Sequence, residues 1–288
     1  MNRPLVSVVI PAYNRPDTLK TALDSVLGQS YPLIEIIICD DSSDDRVKDM
    51  VEPYLAKHTN IEYVKNEQNL FLKNWQKCYD LAQGEFINYL MDDDVFHPDK
   101  IKRMIYFYEN FDGISLVTSH RQTIDETGEP IPPFRATRKL FQETRVMNGR
   151  WLGDLALTQC LNMIGEPTTV LFRKKDLQEP FGVYKGSQYS LLNDVAAWLN
   201  LLAKGKAVYI ADTLSYFRIH PSQNNQTLGE TTFSQWLELI VSSREDGFLA
   251  SDDDYVKALL TYRNRIQHRP PFSNDVKRID EILSELPE

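Results

Sequence analysis

Leu5-Val6-Ser7-Val8-Val9-Ile10, running straight into Pro11-Ala12-Tyr13-Asn14-Arg15-Pro16, reads as a short β-branched strand that ends in a polar loop. An apolar run of this length is the pattern of a parallel strand covered on both faces. Downstream, Thr18 to Leu27 places Leu19, Ala22, Leu23, Val26 and Leu27 on one helical face, with Pro16 near the first turn. Ile34 to Cys39 predicts a second strand, Arg46 to Ala56 a helix and Ile61 to Val64 a third strand. A helix from Lys73 to Ala82 with Gly84 as its C-cap signal, a strand from Phe86 to Met91 and a helix opening at Pro98 and Asp99 complete the series. Strands alternating with helices of this length mean βαβ units, a mostly parallel sheet and an α/β fold. Right-handed crossovers bring the strand carboxyl ends to one edge, where open α/β sheets bind ligands.

Beyond Ile114 to Ser119, itself a strand, the alternation breaks. Residues Arg121 to Arg145 carry the turn signal Glu126-Thr127-Gly128 and the run Pro130-Ile131-Pro132-Pro133, and are expected to form a surface loop or hairpin. Thr168 to Phe172 predicts another strand and Asp194 to Ala203 a helix. Val208 to Ile210 and Leu214 to Arg218 predict two short strands around Ala211-Asp212. From Thr232 the pattern is helical in three pieces, broken by Gly247 and by Pro270-Pro271. The expected organisation is one α/β domain over residues 1–225, with a nucleotide-binding half (1–120) and an acceptor-side half (121–225). Residues 226–288 are expected to be a helical C-terminal extension.

A chain of 288 residues with 42% hydrophobic and 25% charged residues can bury a sizeable core and is not disordered. Its net charge of −9 argues against a duplex nucleic-acid binder, which needs a basic footprint. No apolar run approaches the ~20 residues of a membrane span. Met1-Asn2-Arg3-Pro4 leads into the first strand without a signal-peptide pattern. Cys39, Cys78 and Cys160 have neither CxxC nor zinc spacing. A reduced, cytoplasmic protein is expected, peripheral at most to the inner face of a membrane.

The loop after the first strand contains neither GxGxxG nor GxxxxGK[ST], and the chain has no GxSxG or HExxH. Two acidic clusters stand at strand ends instead: Asp40-Asp41-Ser42-Ser43-Asp44-Asp45 and Asp92-Asp93-Asp94. Adjacent carboxylates repel one another, and a hard divalent cation that also carries substrate phosphates relieves the repulsion. The plain alternative is solvated turn and helix-start residues. Asp252-Asp253-Asp254 is a third acidic run, but it follows no buried strand and is expected only to start a helix.

Ser7 to Asn14, Asp40 to Asp44, Gly84-Glu85-Phe86 leading to Asp92-Asp93-Asp94 and Pro98, Phe181-Gly182, Asn193-Asp194 and Tyr216 to Pro221 together resemble family 2 glycosyltransferases of the GT-A, Rossmann-like fold. The similarity spans about residues 5 to 225 in the family's order. It implies a metal-dependent, inverting transfer of sugar from a nucleotide-diphosphate donor, UDP-linked in the reading favoured here. By the same resemblance, Pro11, Ala12, Tyr13, Asn14, Asp40 and Asp41 hold the nucleotide. Tyr13 offers a ring for stacking, and a carboxylate at Asp41 can accept a base N–H, which favours uracil.

The triple Asp corresponds to the DxD-type motif for Mn²⁺ or Mg²⁺. Counting back from Pro98 puts Asp93 on the metal with Asp92 beside ribose or metal, whereas a literal reading picks Asp92 and Asp94. His220 is implied as a further metal or diphosphate ligand, Arg218 as a diphosphate contact and Lys73 as a nucleotide contact. Relatives often have Gly near Lys73; here that Gly is missing. Asp194 falls at the family's general base, preceded by Asn193 where the family usually has Glu. A saccharide or lipid-linked acceptor, and a place in polysaccharide or glycoconjugate assembly, are family expectations. Two other readings stay open: a metal-dependent nucleotidyltransferase, and a non-catalytic sugar-nucleotide-binding module.

Overall fold

The computed structural model describes residues 3–221 and 231–286. Its first half alternates as the hydrophobic pattern requires: β1 (Val6–Ala12), α1 (Pro16–Leu27), β2 (Ile34–Asp40), α2 (Arg46–Leu55), β3 (Ile61–Lys65), α3 (Leu72–Leu81), β4 (Phe86–Tyr89), β5 (Val95–Phe96) and α4 (Lys100–Asn110). The second half contains β6 (Ile114–Ile124), β7 (Arg145–Asn148), α5 (Gly149–Gln159), β8 (Leu171–Arg173), β9 (Val183–Tyr184), β10 (Ser187–Gln188), α6 (Asn193–Leu202) and β11 (Lys206–Arg218). Three helices follow: α7 (Thr231–Ser242), α8 (Asp252–Ile266) and α9 (Ser273–Glu285).

Nine strands form one sheet in the order β3-β2-β1-β4-β8-β6-β11-β5, with β7 also on β11. β1, β2, β3 and β4 pair in parallel, and β6 pairs in parallel with β11. β8 is antiparallel to both β4 and β6, so those two point the same way. The carboxyl ends of β1, β2, β4, β6 and β11 therefore lie along one edge. Period-two alternation splits the core across the sheet. Val6, Val8 and Ile10 of β1 pack with α1, α2 and α4, while Val9 joins the cluster built with α3, α5 and α6. Buried residues of α7, α8 and α9 belong to that same cluster, so the C-terminal helices share a core with α5 and α6. The expected domain boundary at residue 225 lies outside the described residues.

The structure corrects several expectations. Gly84 does not cap α3, whose C-cap residue Ala82 is extended. A Cβ at Gly84 would lie 2.5 Å from Ser7 Oγ and 2.9 Å from the Leu5 carbonyl, so the glycine lets the chain approach β1. Thr168 and Thr169 belong to a 3₁₀ turn, and the following strand is shorter and antiparallel. The two short strands around Ala211-Asp212 are one strand, β11, with register shifts between Ile210 and Ser215. α5 was not anticipated. The Glu126-Thr127-Gly128 signal does turn the chain, with Gly128 at φ +93 and a bridge from Ile124 to Pro130. Asp252 to Asp254 open α8 behind the cap Ser251, as the sequence suggests. Among the described residues no helix is long and apolar enough to cross a membrane.

Candidate active site

The acidic run sits at the carboxyl end of β4, where Leu90 N–H still donates to the Val9 carbonyl (2.9 Å) before the chain turns. The three carboxylates have different partners. Asp92 accepts from Tyr13 N–H (2.9 Å) and from Arg15 Nη1 (2.9 Å). Asp93 Oδ2 meets Arg15 Nη1 (3.2 Å) and His220 Nε2 (2.8 Å). Asp94 is fully buried, accepting from Arg218 N–H (3.0 Å) and Thr168 Oγ1 (2.5 Å). Asp94 thus ties the end of β4 to the end of β11. Burial, then the neighbouring Asp93 charge, pushes the Asp92 carboxyl up to about 7, against the pull of Arg15. Burial and Asp93 also hold the Asp94 carboxyl well above the usual carboxylate range.

Arg218 fixes the rim from β11: Nε donates to the Asp93 carbonyl (2.8 Å), and Nη1 donates to the carbonyls of Asp125 and Glu126 (2.9 Å each). A 127-residue separation between Asp93 and His220 closes here because β4 and β11 end on the same edge.

The β1 and β2 ends are joined by Asn14. Its backbone is left-handed (φ +56), a conformation Asn tolerates, and its Oδ1 accepts from Ser43 N–H (3.0 Å). Pro11 and Ala12 are the last residues of β1, and the Tyr13 ring beyond them is 45% exposed. Asp40 accepts from Tyr63 OH (2.7 Å), Lys65 Nζ (3.1 Å) and Ser42 N–H (2.8 Å). Asp41 accepts from Asn66 Nδ2 (2.6 Å) and from the N–H groups of Leu70 (3.0 Å) and Phe71 (3.1 Å). Both carboxylates therefore shape loops beneath the site. Lys73 is exposed in the first turn of α3. Phe71, two residues earlier, is 74% exposed at φ +52, so a non-glycine holds a glycine-like backbone next to Lys73.

Asp194 is the second residue of α6, whose N-cap position is Leu192 without a side-chain bond, so the carboxylate is not the helix cap. It accepts from Val195 N–H (2.7 Å) and from Asn162 Nδ2 (2.6 Å). Burial raises its carboxyl to about 7, and the Glu166 charge adds to the shift, while the two donors and Arg121 oppose it. Arg121 forms a buried ion pair with Glu166 and donates through Nη2 to the Asn162 carbonyl (3.0 Å). A buried carboxyl raised toward neutral pH and held by two donors suits proton abstraction.

Sequence reading passed over Arg15, Asn162 and Thr168. Arg15 had a signal: it is the one cation in the loop between Pro11 and Pro16, facing an acidic rim. Asn162 and Thr168 had none, since their roles arise only when distant segments meet. His97, Trp75 and Trp198 behave as packing or helix-start residues. His97 Nδ1 accepts from Asp99 N–H (3.2 Å), Trp75 stacks on Phe181, and Trp198 is fully buried.

The family model described as glycosyl transferase family 2 matches residues 7–179. This chain is a family 2 glycosyltransferase. The glycosyltransferase is 29% identical over 228 residues to the putative teichuronic acid biosynthesis glycosyltransferase TuaG of Bacillus subtilis, covering 75% of this chain and 80% of that one. It is 29% identical over 243 residues to the Escherichia coli UDP-Glc:alpha-D-GlcNAc-diphosphoundecaprenol beta-1,3-glucosyltransferase WfaP, covering 83% and 84%. Its fold matches that of S. aureus TarS 1-349, solved in complex with UDP-GlcNAc, with TM-score 0.67 and 18% identity. That match covers 94% of this chain and 76% of the other. The α/β architecture is therefore that of GT-A glycosyltransferases, and the chain is an enzyme.

Proposed function

We propose that this glycosyltransferase is an inverting, metal-dependent enzyme that moves a sugar from a UDP-sugar to a hydroxyl of a saccharide or lipid-linked acceptor in surface-glycan assembly. One observation carries the reading: Arg15, Asp93, Arg218 and His220, drawn from both ends of the domain, meet within hydrogen-bonding distance at the sheet edge. That cluster suits a diphosphate and its counter-ion. A UDP donor is further supported by the UDP-GlcNAc complex of TarS, and a lipid-linked acceptor by the name of WfaP.

The residues fit Mn²⁺ or Mg²⁺. Asp93 would supply a carboxylate oxygen and His220 an imidazole nitrogen 2.8 Å from it, once the Arg15 guanidinium that now pairs with Asp92 and Asp93 turns to the diphosphate. Among the described residues no three acidic, His or Cys side chains are grouped to hold a metal ion, so Asp93 and His220 would supply two protein ligands, and phosphate oxygens and water would have to supply the rest. When bound, such an ion neutralises charge on the departing diphosphate. We assign the metal to Asp93 and His220 with Asp92 beside it. Asp94, whose two oxygens are committed to Thr168 and Arg218, serves as the latch between β4 and β11.

Tyr13 and Phe71 present rings to the base, above loops held by Asp40 and Asp41. Pro11, Ala12 and Asn14, at and beyond the end of β1, and the exposed Lys73 in the first turn of α3 would border the nucleotide. Asp194 takes the proton of the acceptor hydroxyl as that oxygen attacks the anomeric carbon, and no covalent enzyme intermediate forms. The test is a panel of UDP-sugars incubated with the enzyme and Mn²⁺, reading UDP release and the anomeric configuration of the product by NMR. Release with inverted product is expected. Retained configuration, or no turnover and no binding of any UDP-sugar, would overturn the proposal.

A further inference from the structure

We propose that residues 134–151 form a docking face for an anionic phospholipid bilayer. In a chain of net charge −9, this stretch carries five basic residues (Arg135, Arg138, Lys139, Arg145 and Arg150) and a single acidic one, Glu143. Among the described residues none of the five is in an ion pair, although Arg135 donates to Gln159 Oε1 and Arg150 Nε to the Asp246 carbonyl (2.7 Å); Arg138, Lys139 and Arg145 are exposed. Large apolar side chains are exposed in the same stretch: Phe134 at 44%, Val146 at 39% and Trp151 at 48%.

The second half of the stretch forms one surface. Trp151 stacks on Phe141 (ring centroids 6.1 Å apart), and the Arg145 guanidinium lies over the Phe141 ring at 4.7 Å. Phe141, Arg145, Val146, Met147 and Trp151 line one shallow depression of about 340 Å³. The segment is anchored from behind, because Leu140 N–H donates to Tyr209 OH (3.0 Å) and β7 pairs with β11. Its outward groups are thus presented by a fixed backbone.

Charge selects the occupant. An anionic bilayer repels the rest of this acidic chain and attracts this cation-rich stretch, which orients the molecule as well as holding it. Trp and Phe beside Arg and Lys are the residues that settle at headgroup level. At its other end the face reaches the site: Phe134 packs edge-on against Phe217, the neighbour of Arg218, with centroids 6.2 Å apart. Two other basic runs, Arg173 to Lys175 and Arg263 to Arg269, are engaged within the fold: Arg173 pairs with Glu85 and Lys174 donates to the Ala82 carbonyl (2.6 Å). Arg263 pairs with Asp280, and Arg265 donates to the carbonyls of Gln159 and Cys160.

The test is co-sedimentation of the full chain with phosphatidylcholine vesicles, alone or containing about one-third phosphatidylglycerol. Binding is expected only with the anionic vesicles and is expected to weaken as salt rises. Arg138→Glu combined with Lys139→Glu should lower partitioning by roughly tenfold or more, and Trp151→Ser several-fold. Lys48→Glu with Lys57→Glu, an equal change in net charge on exposed residues after β2, should bind like the parent protein. The proposal is overturned if neutral and anionic vesicles bind equally, if the patch variants bind like the parent, or if the Lys48/Lys57 variant loses as much as they do.

Discussion

Asp194 is held by one backbone and one side-chain donor before any acceptor arrives, so its geometry is fixed while its proton affinity stays high. Asp194→Asn keeps the shape and removes the carboxylate proposed as the base. It is expected to leave UDP-sugar binding intact and to slow transfer by a factor on the order of 10² or more, read as turnover against donor affinity. Normal transfer by that variant would place the base elsewhere. With the carboxyl near 7, the ionised, active form grows as pH rises, so turnover should climb through neutral pH and level off above it. Asn162 donates to the carboxylate and favours the ionised form. In Asn162→Ala the midpoint of that pH profile should therefore move to higher pH, as measured by kcat between acid and mildly alkaline buffers. An unmoved midpoint would make Asn162 only a packing residue.

The parallel elements from β1 to α4 were legible because each strand is a short apolar run and each helix carries a clean stripe. Helix α5 was not, because Gly149 and Gly153 weaken its pattern. The structure needs Gly153 there: a Cβ would lie 2.3 Å from the Phe248 ring, so the glycine admits close packing of the C-terminal helices. β11 looked like two strands because Ala211-Asp212 falls where its register shifts. A single turn residue pattern cannot distinguish a bulge from a break. Gly84 packs against β1 instead of capping α3, and that role gives a test. Gly84→Ala is expected to destabilise the fold by about 1–3 kcal/mol through overpacking against β1, measured by urea denaturation. Unchanged stability would mean that β1 and this turn can separate without penalty.

Across the whole molecule, the sheet edge brings together residues that the sequence separates by more than a hundred positions. The candidate residues on that edge could be named from their motifs, because each stands at a strand end. Their division of labour could not. Three adjacent carboxylates look equivalent in sequence, yet burial and partners give Asp94 to β11, Asp92 to the Tyr13 loop and Asp93 to His220. Arg15 enters the site only because β1 and β4 are neighbours.

The proposed chemistry requires that Asp93 and His220 accept a cation and through it a nucleoside diphosphate. Thermal unfolding with UDP tests the supposition. At one hundred times its Kd, UDP with Mn²⁺ should stabilise the enzyme by about 2.7 kcal/mol, with little effect in EDTA and little in Asp93→Asn under either condition. Equal stabilisation by UDP with and without chelator would contradict it.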